Sequence, residues 1–179
     1  WSAEDARYNV IRWLAQPFPN AMGPTIVDPR TGEILSSHVL VWPQVLNLFA
    51  RYYYGLAAAN DPEARRLPLP EAKLGELLTY IVAHEVGHAL GLRHNHLAST
   101  AYGVAQLRDP EFANRQGPNA SIMAYGRFNQ AAQPGDGVTR LMPGLGRYDH
   151  FAIDWGYGVH GDTPEAERVA LDRLAAEAL

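Results

Sequence analysis

The sequence contains no cysteine, so disulfide bonds and thiolate metal ligands are excluded, and histidine, carboxylate and tyrosine remain for any metal chemistry. Basic residues are not in excess, since 15 Lys and Arg stand against 19 Asp and Glu for a net charge of −4. This balance gives no basic surface for nucleic acid. No apolar run approaches the roughly 20 residues of a transmembrane helix. We therefore expect neither nucleic acid nor a membrane as a partner.

A length of 179 residues with 47% apolar side chains is enough for one domain with a hydrophobic core. The chain starts without an initiator methionine or a signal peptide, which leads us to expect part of a longer protein. The absence of cysteine leaves the redox compartment unassigned, and nothing in the sequence indicates an oligomeric state.

The most informative stretch runs from residue 80 to residue 96. His84 and His88 are four residues apart, which places their imidazoles on one face of a helix. Glu85 completes an H-E-x-x-H pattern, in which the histidines bind zinc and the glutamate acts as general base towards the water that the metal activates. The pattern predicts a zinc site on a helix.

A catalytic zinc ion usually has three protein ligands, and His94 is the candidate for the third. On a continuous helix it would lie about 240° round and roughly 9 Å along the axis from His88, so the helix must end first. Gly91 can end it, because glycine readily adopts the left-handed conformation. Glu111 is an alternative third ligand that the spacing disfavours. The remaining histidines are expected to be structural or exposed: His38, His96, His150 and His160.

A second motif, Ser121-Ile122-Met123-Ala124-Tyr125, follows the histidines. Together with His84-Glu85-x-x-His88-x-x-Gly91-x-x-His94, it resembles the metzincin clan of zinc endopeptidases, whose methionine turn lies after the third ligand. The resemblance implies that Met123 lies beneath the metal and that Tyr125 serves as an extra ligand or an oxyanion donor. The alternative is that both side chains only pack in the core.

Patterns of β-branched and aromatic residues predict the strands. We expect a strand at 7–14 and a hairpin of strands at 23–28 and 33–42. A helix capped by Ser2 and Asp5 is the alternative for the first segment. By resemblance, one of these strands pairs with extended substrate over the cleft.

Helical spacing of apolar residues predicts two helices, a start signal at Asp162-Thr163-Pro164 predicts another, and the resemblance to metzincins implies a fourth at 148–158. They span residues 43–60, 71–90, 148–158 and 162–179. We expect Gly87 in the second helix to permit close approach of a neighbouring element, the third helix to brace the methionine turn, and Val169 and Leu174 in the last to point inward.

Two polar segments, 96–121 and 129–146, show little periodicity and are predicted to be loops. The first is expected to wall one side of the cleft, and the resemblance implies that the second shapes the substrate pocket. Asp136 lies between glycines, and a single carboxylate there is not a calcium loop.

The resemblance implies an α+β fold: a metzincin-like catalytic domain with a small twisted sheet packed on a zinc-binding active-site helix, a methionine turn and a C-terminal helix. We expect this domain to cover residues 1–160, with 161–179 as a trailing helix. Metzincin domains usually begin with a further strand and helix, which are not visible here. Asp28-Pro29-Arg30-Thr31-Gly32-Glu33-Ile34 and Ser121-Ile122-Met123 resemble segments of large bacterial zinc-dependent metalloproteases, which implies a secreted or periplasmic protein.

The predicted function is zinc-dependent endopeptidase activity on a peptide or protein substrate. Two alternatives remain open: a zinc-bearing binding or scaffolding module without activity, and a hydrolase of a non-peptide amide. The presence of Glu85 favours an enzyme, because a structural zinc site has no use for a general base.

Overall fold

A mixed sheet of four strands is organised around one central strand in the computed structural model, which describes residues 2–178. The strands are β1 (Val10–Trp13), β2 (Ala21–Met22), β3 (Thr25–Val27) and β4 (Ile34–Val41). β1 pairs with β4 in parallel, whereas β2 and β3 pair with it in antiparallel fashion. β2 pairs with the C-terminal part of β4 and β3 pairs with its N-terminal part. Gly23 and Pro24 separate the two short strands.

The predicted first strand and the predicted hairpin are confirmed, and the helical alternative for the first segment is wrong. β4 is the best buried strand, with Val39 and Val41 in the core. The sequence analysis missed β2, because two residues between Pro19 and Gly23 carry no detectable alternation. This short strand forms part of the wall of the cleft described below.

Six α-helices and two 3-10 turns make up the other regular structure within residues 2–178. The helices are α1 (Gln44–Ala57), α2 (Glu71–Ala89), α3 (Val104–Arg108), α4 (Pro110–Gln116), α5 (Arg147–Tyr157) and α6 (Pro164–Ala178). The 3-10 turns cover Pro62–Arg65 and His96–Thr100. The four predicted helices are confirmed as α1, α2, α5 and α6. In the part of the chain that the structure describes, no helix combines the length and apolarity needed to cross a bilayer.

The prediction of a loop at 96–121 is wrong, because this segment contains a 3-10 turn, α3 and α4. Local caps stabilise these short helices without a long apolar stripe: Gln106 Oε1 accepts a hydrogen bond from the Gly103 amide at 3.0 Å, and Asp109 accepts one from the Glu111 amide at 3.0 Å. The segment also does not line the cleft, nor does 129–146, so both expected roles in shaping it are wrong.

The core consists of a larger and a smaller apolar cluster that meet on α2, together with a third one beneath the 96–124 segment. Leu77 of α2 is fully buried among side chains of α1 and of residues 128–141. Ile81, one turn later, belongs to the cluster that joins the sheet to Met123. α2 is therefore the central element of the fold. α6 lies outside this core and contacts α5, and Val169, expected to point inward, is 64% exposed.

Candidate metal centre

The end of α2 determines where the third histidine lies. Leu92 donates its amide hydrogen to the Gly87 carbonyl at 2.9 Å, and Gly91 donates to the His88 carbonyl at 2.9 Å. These two bonds form a Schellman motif, which requires a left-handed residue, and Gly91 has φ of +88°. The chain turns back after Gly91, as the sequence predicted, and brings His94 towards the face of α2 that carries the other two histidines.

His84, His88 and His94 form one cluster in which a ligand atom from each lies within 4.8 Å of the others. His94 Nε2 is 3.3 Å from His84 Nε2 and 3.1 Å from His88 Nε2. Imidazole nitrogens that bind a tetrahedral ion at about 2.0–2.1 Å stand about 3.3 Å from one another. The spacing of the three nitrogens therefore fits a single four-coordinate metal ion.

Backbone carbonyls orient two of these imidazoles. His84 Nδ1 donates to the Ile122 carbonyl at 2.8 Å, and His88 Nδ1 donates to the Leu92 carbonyl at 2.9 Å. A proton on Nδ1 leaves the Nε2 lone pair free, which is the arrangement that metal-binding histidines adopt. Burial, together with the charges of neighbouring groups, lowers the pKa of His84 to about 4. Partial desolvation of the His94 ring and the nearby imidazoles of His88 and His96 likewise lower the pKa of His94, which favours the neutral, metal-binding form of both side chains at neutral pH.

Glu85 is buried beside the histidine cluster and lines the same cleft. Burial raises the pKa of its carboxyl group to about 7. Gly23, between β2 and β3, packs directly on this turn of α2, where a β-carbon would collide with the Glu85 carbonyl oxygen and lie 3.0 Å from His88 Cβ. The edge of the sheet thus approaches the helix at the position of the predicted base.

Met123 packs against α2 at Gly87, between His84 and His88 in the sequence. Its side chain has no exposed surface, and its sulfur occupies the space that a β-carbon at Gly87 would need. The expected close approach at Gly87 is confirmed. The Met123 carbonyl also accepts a hydrogen bond from the Asn95 amide at 3.0 Å, which ties the methionine turn to the segment that carries His94.

α5 braces the methionine turn through a residue that the sequence analysis did not single out. Asp149 is buried, and its carboxylate accepts hydrogen bonds from Ser121 Oγ at 2.6 Å, the Ile122 amide at 2.7 Å and the Gly146 amide at 2.8 Å. Ile122 also supplies the carbonyl that orients His84. Asp149 therefore influences the position of His84 indirectly, through Ile122. A glycine three residues before an aspartate at a helix start was the available signal.

Tyr125 is 48% exposed and stands at the edge of the histidine cluster. Its ring centroid is 4.3 Å from that of His94 and 6.2 Å from that of His84. His96 contacts Tyr125 with centroids 5.1 Å apart but lies outside the three-histidine cluster. Tyr125 is thus an exposed side chain beside the site, and not the interior packing residue of the alternative interpretation.

The other candidates from the sequence do not join the cluster. Among residues 2–178, the metal-binding group does not include His38, His150 or His160. It also does not include Glu111, which lies in the first turn of α4. Asp136 forms an ion pair with Arg108 at 2.8 Å.

A cleft of about 740 Å³ gives access to the cluster. β2 and β3 line one side, α1 and α2 contribute Val45, Phe49 and Tyr80, and the segment after the methionine turn contributes Tyr125 and Arg127. Arg127 is a second residue that sequence reasoning missed, because an arginine after a motif carries no signal of its own.

A family model described as Met-zincin matches residues 66–179, which is well over half of the chain. The matched region contains α2, the methionine turn, α5 and α6, whereas the sheet and α1 precede it. No curated protein and no solved structure matches the chain.

Proposed function

The chain belongs to the Met-zincin family, and on that premise we propose that it is a zinc-dependent endopeptidase. The observation that carries the proposal is the convergence of three histidine Nε2 atoms at one point of an open cleft, with the buried Glu85 beside them. A purely structural zinc site would be closed by a fourth protein ligand, and it would not need a neighbouring carboxylate.

His84, His88 and His94 would hold the ion through Nε2, and three neutral nitrogen ligands leave one position for water or substrate. Zinc suits this set because it accepts imidazole ligands in tetrahedral geometry. When bound, zinc supplies Lewis acidity, which polarises the scissile carbonyl and lowers the pKa of water.

The side chains of this protein would carry the proton and stabilise charge. Glu85 accepts a proton as the water oxygen bonds to the carbonyl carbon, and it returns that proton to the amine nitrogen as the carbon–nitrogen bond breaks. The Tyr125 hydroxyl donates a hydrogen bond to the carbonyl oxygen while negative charge develops on it. No proton is gained or lost in the whole cycle.

The edge formed by β2 and β3 would bind the peptide in an extended conformation. This edge lines the cleft and packs on α2 at Gly23, next to Glu85 and His88. Backbone groups of an edge strand pair with an added strand, which holds a peptide independently of its side chains. Such binding would align the scissile carbonyl with the histidine cluster.

The experiment is incubation of the zinc-loaded protein with a diverse peptide mixture, with cut sites identified by mass spectrometry. Glu85→Ala serves as the control: it should retain zinc and lose cleavage by about a hundredfold to ten-thousandfold, because the general base is absent. Internal cuts by the parent protein alone support an endopeptidase. Equal cutting by Glu85→Ala would refute the assigned base, and zinc binding without any cuts would favour a binding module or a small-amide hydrolase.

We also propose that the protein acts outside the cytoplasm, in the periplasm or after secretion. The support is the similarity of residues 28–34 and 121–123 to large bacterial zinc-dependent metalloproteases. Fractionation of the native cells with an antibody against this chain tests the proposal, and recovery in the cytoplasmic fraction alone would contradict it.

A further inference from the structure

Arg127 occupies the wall of the cleft close to the histidine cluster. Its guanidinium carbon lies 4.9 Å from the ring centroid of Phe49, 5.5 Å from that of Tyr52 and 5.6 Å from that of Tyr125. The ring of Tyr125 is in turn 4.3 Å from that of His94. One aromatic ring therefore separates the arginine from the metal-binding nitrogens.

The positive charge of Arg127 has no carboxylate partner among residues 2–178. The side chain is half-buried, and it interacts with the hydroxyl of the buried Tyr80 both through its charge and through a side-chain hydrogen bond. Apart from histidines, the charged residues lining the cleft are Arg93, Arg127 and Glu85. The cleft is thus locally positive in a chain whose net charge is −4.

Stacking on aromatic rings would by itself explain why Arg127 is ordered, since guanidinium groups stack on such rings in many proteins. Contact with ring faces, however, leaves uncovered the five in-plane N–H donors of the guanidinium group, of which the hydrogen bond to Tyr80 uses only part. Those donors match the two oxygens of a carboxylate, which a guanidinium group binds in bidentate fashion. The aromatic rings lower water access and strengthen such a pair.

We propose that Arg127 selects peptides with an aspartate or glutamate next to the bond that is cut. This inference rests on the proposed peptidase function and names its substrate class. An extended peptide advances about 3.3–3.6 Å per residue, so only a residue adjacent to the scissile bond can place its side chain one ring away from the histidine cluster. Tyr125, Phe49 and Val45 supply apolar contacts for the side-chain methylene groups.

The first test compares cut sites in a randomised peptide mixture for the parent protein and three variants. The parent should favour Asp or Glu beside the cut over Asn or Gln by roughly tenfold or more, the range of a charge-assisted hydrogen bond. Arg127→Met should lose this preference while still cutting neutral sequences, and Arg127→Lys should keep part of it. Arg51→Met, an exposed arginine of α1 outside the cleft, removes the same net charge and should keep all of it.

A binding measurement separates this inference from the peptidase proposal. Two peptides that differ only by Glu and Gln are titrated into zinc-loaded Glu85→Ala, which is expected not to cut them. The peptide that contains Glu should bind about tenfold more tightly than the peptide that contains Gln. This difference in affinity should vanish in the double variant that carries Arg127→Met in addition to Glu85→Ala. The inference would be overturned if the parent protein cleaved peptides without preference for acidic residues. It would also be overturned if Arg127→Met lost cleavage of neutral and acidic peptides equally. Either result would leave the proposal of a peptidase standing. Absence of any cleavage would overturn the peptidase function, while the titration still decides whether the cleft selects a carboxylate.

Discussion

At the scale of single residues, backbone carbonyls orient two histidines of the centre, and a chain reversal positions the third. His84 is buried and directed by the Ile122 carbonyl, His88 is directed by the Leu92 carbonyl, and His94 depends on the chain reversal at Gly91. His94 itself is exposed, so its position comes from the backbone and not from packing. The three histidines are therefore unequal in how firmly the fold holds them.

Removal of His94 should weaken zinc binding without unfolding the protein. We expect His94→Ala to lower zinc affinity by at least about a hundredfold, because a direct ligand should matter more than a second-layer contact, whose loss costs 10–100-fold. Equilibrium competition with a chromophoric chelator measures the affinity. His96→Ala is the matched control, since His96 is exposed, lies two residues away and should leave zinc affinity unchanged. An equal loss in both variants would contradict the assignment of His94 as the third ligand.

At the scale of elements, α2 has two glycines with opposite surroundings. At Gly87 a β-carbon would collide with the Met123 sulfur, whereas at Gly75 nothing lies within 4 Å of the β-carbon position. Both are helical, so the intrinsic gain from replacing glycine by alanine is the same at the two sites. The difference between them isolates the contact between the helix and the methionine turn.

We expect Gly75→Ala to raise the free energy of unfolding by about 0.5–1 kcal/mol, because alanine favours the helix. Gly87→Ala should lower it by about 1–3 kcal/mol, because the added carbon forces Met123 to move in a packed core. Urea denaturation measures both values. Zinc affinity should fall in Gly87→Ala alone, since Met123 is in the turn whose Ile122 carbonyl orients His84. A stabilising Gly87→Ala would show that the methionine turn is not packed on the helix.

The long elements could be predicted from the sequence because each has its own signal. In α1 and α2 apolar residues recur at helical spacing, and the extended histidine motif requires a turn at Gly91. α3 and α4 could not be predicted in this way, since they depend on caps at Gly103 and Asp109 over segments too short for a period. Asp149 and Arg127 were missed for a different reason: their importance comes from residues that only the folded chain brings near them.

At the scale of the whole molecule, α2 connects the metal site to global stability. Leu77 on this helix packs in the cluster with α1, and Ile81 packs in the cluster that contains Met123 and the sheet. The helix cannot unfold while both clusters persist, so the histidine pair His84 and His88 exists only in the folded chain. Ligand binding that requires the folded state adds to its stability by mass action.

Zinc should therefore raise the unfolding temperature of the whole molecule. A free zinc concentration about 100 times the dissociation constant adds about 2.7 kcal/mol, which corresponds to a shift of roughly 5–10 °C for a chain of this size. Calorimetry with and without zinc measures the shift, and a chelator should reverse it. At the same zinc concentration His94→Ala should show almost no shift in unfolding temperature. Its dissociation constant is expected to be so much higher that the free zinc concentration no longer exceeds it. A full shift in that variant would place the stabilising metal somewhere other than the three-histidine cluster.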